Sequence, residues 1–188
     1  MDSYIHKANY KDIETIKSLM LIALKNDPFA FSVDFKELED KNFYWFRNYL
    51  NPFLDSKDNV SSLFLYRKNS STLGMIGCLR NNTLRKIHSV SIVWFYVLRE
   101  FRNLGVGKSL IQFILDYLLG FKEIKKIQIF VNSTQKNAIH IYKSFGFEVS
   151  GELKNEFYIN DQFVNCLLYT SDAADDLLCV DLGGRRII

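Results

Sequence analysis

Short runs of apolar, β-branched and aromatic residues recur at 3–7, 60–66, 72–79, 87–97, 126–131 and 149–159, and a further run begins at Gln162. Several alternate apolar with polar positions, and turn-forming residues flank them, which predicts strands. Between them the apolar spacing changes to three and four. This happens at 10–26 (Ile13, Ile16, Met20, Ala23, Leu24), 34–48, 106–119 (Val106, Leu110, Phe113, Ile114, Tyr117, Leu118) and 134–145 (Ala138, Ile141, Tyr142, Phe145). These stretches predict helices. Asp27-Pro28 stops the first. Asp34 caps the second and Asn51-Pro52 ends it. Gly120 fits the C-terminal cap of the third, and Gly146 ends the fourth. Turns fall at 68–71, Asn81-Asn82 and Asn160-Asp161. The order is β-α-α-β-β-β-α-β-α-β-β, an α/β chain with a mixed sheet and helices on both faces. Residues 29–33 form an aromatic loop. Phe43, Tyr44, Trp45 and Phe46 read either as core packing or as a wall of a substrate pocket.

The 188 residues are 48% hydrophobic and 15% aromatic, enough for one domain with a real core. No internal repeat or linker interrupts them. No apolar run reaches membrane-spanning length, and the opening residues carry no signal-peptide pattern, so a cytoplasmic protein with no membrane partner is expected. Three scattered cysteines, Cys78, Cys166 and Cys179, argue against a disulfide framework or a zinc site. No His, Cys or carboxylate cluster has metal-ligand spacing, so no metal is expected.

From Cys166 the character changes. Cys-Leu-Leu-Tyr-Thr-Ser-Asp-Ala-Ala-Asp resembles a translated transposase sequencing adaptor, TGT CTC TTA TAC ACA TCT GAC GCT GCC GAC, codon for codon. The stretch from Cys179 to Ile188 resembles the primer end of the same adaptor. Residues 166–188 are therefore expected to be a non-native tail, and 1–165 the native domain with a truncated last strand. Cys166 to Thr170 is still apolar enough to pair as a strand. Without the tail there remain 22 basic and 17 acidic residues, a net of +5. That suits an anionic ligand but is too weak and dispersed for nucleic acid.

The candidate chemistry lies at residues 97–110, where a strand feeds a Gly-x-Gly turn that opens a helix. Glycines let a ligand approach the backbone, and the first N–H groups of a helix lack internal partners and carry positive partial charge. Together they make a phosphate or pyrophosphate site. Spacing rejects two loops of this kind. A Walker A loop needs its first glycine at Arg102, and a dinucleotide fingerprint needs its third at Leu110. What fits is Arg-x-x-Gly-x-Gly: Arg102, Gly105 and Gly107.

That loop resembles the pyrophosphate loop of GNAT-type N-acetyltransferases. A second block, Val131-Asn132-Ser133 followed by Ala138, Tyr142 and Gly146-Phe147, is similar to the family's Asn-x-x-Ala-x-x-x-Tyr-x-x-x-Gly-Phe pattern. Over residues 3–165 the element order is also that of the family. The resemblance implies the GNAT fold, a mixed and mostly antiparallel sheet. It implies acetyl-coenzyme A as co-substrate and a primary amine as acceptor, whether a small molecule, a protein N-terminus or a lysine. A homodimer is compatible with it. Val97 and Leu98 would pair with the pantetheine amides, and a backbone N–H of this strand would stabilise the oxyanion. The N–H groups of Asn103, Leu104, Gly105, Val106, Gly107 and Lys108 would hold the pyrophosphate, with Arg102 and Lys108 adding attraction. Tyr142 would protonate the departing thiolate. Gln135 stands where many relatives have Asn at a coenzyme contact, and Asn103 where glycine is common. Residues 91–96 lack the glutamate base that many relatives carry. The base is unassigned among water, Glu100 and Glu39, with His88 and His140 as further options. The missing carboxylate also leaves open a non-catalytic acyl-coenzyme A sensor.

Overall fold

The computed structural model describes residues 3–172. One seven-stranded sheet runs in the order β1-β2-β3-β4-β5-β7-β6. Its strands are β1 (Ser3–Lys7), β2 (Ser62–Lys68), β3 (Ser71–Arg80), β4 (Ser89–Val97), β5 (Lys126–Asn132), β6 (Glu148–Ile159) and β7 (Gln162–Asp172). All neighbouring pairs are antiparallel except β4 and β5, which are parallel. The helices are α1 (Ile13–Asn26), α2 (Phe35–Leu38), α3 (Phe43–Leu54), α4 (Val106–Leu119) and α5 (Lys136–Ser144). None among the described residues is long and apolar enough to cross a membrane.

Period-two side chains divide the interior into two cores. In β2, Phe64 joins the core under α4 and α5, whereas Leu63 and Leu65 join the core under α1 and α3. In β4 the phase switches. Val90 and Ile92 face α4, Val93 and Trp94 both pack against the α1–α3 side, and from there Phe95 and Val97 face α4 and α5. A bulge does this: pairing with β3 jumps from Val93–Gly77 to Tyr96–Met75, and Trp94 adopts φ 52. Strands β4 and β5 pair only from Ser89–Lys126 to Ile92–Ile129. Beyond Ile92 they part, and the gap opens beside the N-termini of α4 and α5.

The second expected helix is two. Asp34 caps only the single turn of α2, accepting from the Lys36 N–H at 2.9 Å. The chain then breaks, and the Asn42 side chain starts α3 by accepting from the Trp45 N–H at 2.9 Å. Pro52 does not end this helix. It lies in the last turn, where its missing N–H costs one bond, and the Asp55 N–H closes the helix on the Asn51 carbonyl at 3.0 Å.

The boundary expected after Asn165 falls inside β7. Residues 166–172 pair with β5 from Asn132–Cys166 to Lys126–Asp172, and Tyr169 is 1% exposed. The rest of the expected tail, 173–188, lies outside the described residues.

Candidate active site

After β4 the chain makes one 3-10 turn, Arg99–Phe101, and climbs into α4 through two left-handed residues, Asn103 (φ 62) and Gly105 (φ 84). Asn is among the residues that tolerate this region best after glycine, which explains its place here. At Gly105 an added Cβ would meet nothing within 4 Å, so conformation and not space calls for glycine. At Gly107 the reverse holds: a Cβ would stand 3.3 Å from Phe95 Cζ and 3.5 Å from Ile141 Cδ1. Ser109 is the first amide of α4 to bond back, to the Gly105 carbonyl at 2.9 Å. Among the described residues the N–H groups of 103–108 donate to no protein acceptor. They form a continuous run of donors at the positive end of a 14-residue helix.

Arg102 is placed differently from the expectation. Its Nε donates to the Val97 carbonyl at 3.0 Å, its Nη2 to Asp27 Oδ2 at 2.6 Å and its Nη1 to Asp27 Oδ1 at 3.4 Å. The guanidinium also lies 5.4 Å from the Tyr96 ring centroid. Arg99 Nη2 joins the same carboxylate at 3.1 Å and donates to the Asn26 carbonyl. Burial alone would push the Asp27 carboxyl up, but the hydrogen bonds and charges of Arg102 and Arg99 outweigh it and hold the group below its ordinary value. Arg102 therefore has its charge balanced inside the protein and acts as a strut. Lys108 is exposed at the loop.

Leu98 also departs from expectation. Its N–H donates to the Leu73 carbonyl at 2.9 Å and so is not free for a ligand, and its carbonyl already accepts one bond, from Phe101 at 3.0 Å. Antiparallel pairs alternate between bonded and non-bonded, so the preceding pair, Val97–Gly74, is non-bonded. The Val97 N–H thus points away from β3, into the gap.

Tyr142 is 5% exposed, its ring set against Phe95, Phe147 and Tyr169 at centroid distances of 5.9, 6.2 and 6.4 Å. Burial raises its hydroxyl above the ordinary tyrosine value, so the proton stays on oxygen. Among the described residues that hydroxyl makes no hydrogen bond.

Two cavities meet at the gap. The inner one, about 250 Å³, is lined by Val97, Arg102, Asn103, Gly107, Gln135 and Tyr142 among others. The structure thus gathers six of the expected site residues; Leu104 stays exposed at the rim, and the Val106 side chain is buried in the core. The outer cavity, about 580 Å³, is walled by the loop after α1, by α3 and by β6. Both share Ala30, Phe31, Ile92, Trp94 and Phe130. Trp94 stacks on Phe31 at 5.2 Å. The aromatic wall of α3 is Tyr49 and Phe53, one turn beyond the aromatic run that opens the helix. Two buried polar atoms without a partner among the described residues, Tyr96 Oη and Asn132 Nδ2, belong to residues of these walls. None of Glu39, Glu100, His88 and His140 lines either cavity; Glu156 lines the outer one, and sequence reasoning did not single it out.

The profile described as the Acetyltransferase (GNAT) family matches residues 20–147. Spermidine N(1)-acetyltransferase of Escherichia coli (strain K12) is 24% identical over 141 residues, which are 75% of this chain and 67% of that one. The acetyltransferase of GNAT family from Streptococcus pneumoniae is similar in fold, with a TM-score of 0.78 at 21% identity over 91% of this chain and 99% of that one. A GNAT superfamily phosphinothricin acetyltransferase from Sinorhizobium meliloti, solved in complex with AcCoA, gives a TM-score of 0.77 at 13% identity over 92% and 89%.

Proposed function

The chain belongs to the acetyltransferase (GNAT) family and is an N-acetyltransferase, moving an acetyl group to an amine; from that premise we propose that loop 102–108 and the open edge of β4 hold acetyl-coenzyme A while a primary amine enters through the outer cavity. The observation that carries this is the run of unpaired N–H groups at 103–108, aligned with a helix N-terminus and bordering the gap between β4 and β5. A diphosphate supplies the anionic oxygens that such donors lack. Gly107 leaves room where a Cβ would crowd Phe95 at 3.3 Å and lie in contact with Ile141.

When bound, the thioester supplies an activated acyl carbon. The Val97 N–H, facing the gap, donates to the carbonyl oxygen as negative charge grows there. Tyr142 holds its proton at Oη on the cavity wall and delivers it to the departing thiolate sulfur. Gln135, at the N-cap of α5, offers a side-chain amide to the coenzyme. Lys108 adds positive charge at the exposed rim, and Arg102 fixes Val97 and Asp27 instead of touching phosphate. Calorimetric titration with coenzyme A tests this reading: saturable binding is expected, and no heat of binding at any concentration would overturn it.

A further inference from the structure

Among the described residues the outer cavity carries one free charge, Glu156. We propose that the acceptor is a diamine-type molecule: the reacting primary amine lies uncharged at the gap, an apolar spacer crosses the aromatic wall, and a single distal cation rests on Glu156. The proposal rests on the acetyltransferase reading and adds the substrate class and the residue that selects it.

The walls decide between amine classes. The shared edge of the two cavities is apolar: Ala30, Phe31, Ile92, Trp94 and Phe130. Asp27, the carboxylate among the described residues that lines the inner cavity, is committed to Arg102 and Arg99. An ammonium held at the gap would therefore find no anion, and burying an unpaired charge is costly. The neutral amine, which is the form that attacks, is the form this edge admits. Beyond it the rings of Phe31, Tyr49, Trp94 and Phe157 suit a hydrocarbon segment.

Among the described residues Glu156 is the acidic residue of the outer wall, and no Lys, Arg or His lines that cavity. It makes no ion pair or hydrogen bond among the described residues. The backbone holds it there deliberately. Pairing of β6 with β7 shifts register between Leu153 and Phe157, Asn155 takes φ 55, and the Asn155 N–H donates to Asn165 Oδ1 at 3.0 Å. Its field reaches the adjacent strand β7, where the Cys166 thiol of the same cavity is pushed up first by burial and then by Glu156. One carboxylate matches one cation. A longer polyamine brings further charges to apolar walls that offer them only ring faces. An acceptor bearing a carboxylate meets no counter-charge.

The test compares thiol release from acetyl-coenzyme A with a linear aliphatic diamine, the monoamine of the same chain length and a linear triamine, using the full chain and Glu156→Gln. Glu156 is exposed, so the substitution leaves the fold intact. The diamine is expected to have the highest kcat/KM. In Glu156→Gln its KM rises about tenfold, the scale of one charge-assisted contact. The monoamine, lacking a second charge, loses far less. An equal loss for both amines, or a wild-type preference for the monoamine or triamine, overturns the proposal. Coenzyme A titration separates the two layers: binding with the wrong amine preference sinks this inference alone, whereas absent binding sinks the acetyltransferase site itself.

Discussion

Arg102 Nη2 stands 2.6 Å from Asp27 Oδ2 across 75 residues of sequence. Asp27 ends the first helix, directly before the loop whose Phe29 and Phe31 wall the outer cavity. Arg102 begins the loop that carries the unpaired N–H groups. One ion pair therefore fastens the wall of the outer cavity to loop 102–108, and Arg102 Nε ties both to the end of β4 through the Val97 carbonyl.

Asp27→Asn should lower stability at neutral pH and matter less in acid. The folded carboxyl sits below its ordinary value of 3.8, so the folded chain binds that proton less readily than the unfolded one. Its contribution is fully present above the unfolded value and is lost as pH falls through the lower folded value. A partly exposed pair contributes at most about 1 kcal/mol, which corresponds to about 2–4 °C in a chain of this size. Thermal melts of wild type and Asp27→Asn from neutral pH downward check this. A gap that widens on acidification would refute it.

Gly107→Val probes the cradle. The new Cβ crowds Phe95 at the inner cavity wall, while the helical backbone there accepts any L residue. Coenzyme A affinity should fall at least about tenfold, a loss of about 1.4 kcal/mol, with little change in Tm. Calorimetry and melting measured on the same preparation decide it. Unchanged affinity would move the coenzyme away from α4.

Tyr142→Phe keeps the ring against Phe95, Phe147 and Tyr169 and removes only the hydroxyl. The leaving thiolate, with a pKa of about 8.5, departs fairly well unaided. The expected fall in kcat is therefore about tenfold to a hundredfold, at the low end of general-acid effects. Coenzyme affinity and Tm should stay near wild type. Since burial holds the Tyr142 proton in place, wild-type kcat should show no loss near the ordinary tyrosine pKa; a kcat that falls there would point to another acid.

The site was legible where local rules govern. The bounds of α4 follow from apolar period and glycine placement, and the left-handed turn before it from Asn103 and Gly105. The split of α2 from α3 was missed because Asn42 acts as a cap, and caps compete with propensity over a single hydrogen bond. The bulge at Trp94 left no trace: a bulky residue at φ 52 is imposed by packing on both faces, not by its own preference. Asp27 and Glu156 were overlooked for a different reason. Each draws its meaning from partners or walls far away in sequence, Arg102 for the first and α3 with β5 for the second.

Tyr169 tests whether the half of β7 that resembles adaptor read-through belongs to the folded sheet. It is 1% exposed, packs on the Tyr142 ring at 6.4 Å and pairs across the sheet with Ile129 and Val149. Truncating so large a buried aromatic to Ala typically costs about 3–5 kcal/mol, a drop on the order of 10 °C in Tm. Tyr169→Phe retains the ring and should melt close to wild type. Tyr169→Ala should also lower kcat, because Tyr142 loses one of the three rings that hold it, and the effect on coenzyme affinity should be smaller. If Tyr169→Ala instead melts like the wild type, residues 166–172 do not complete the sheet. The core beside Tyr142 must then close without them, and the general-acid assignment loses its structural support.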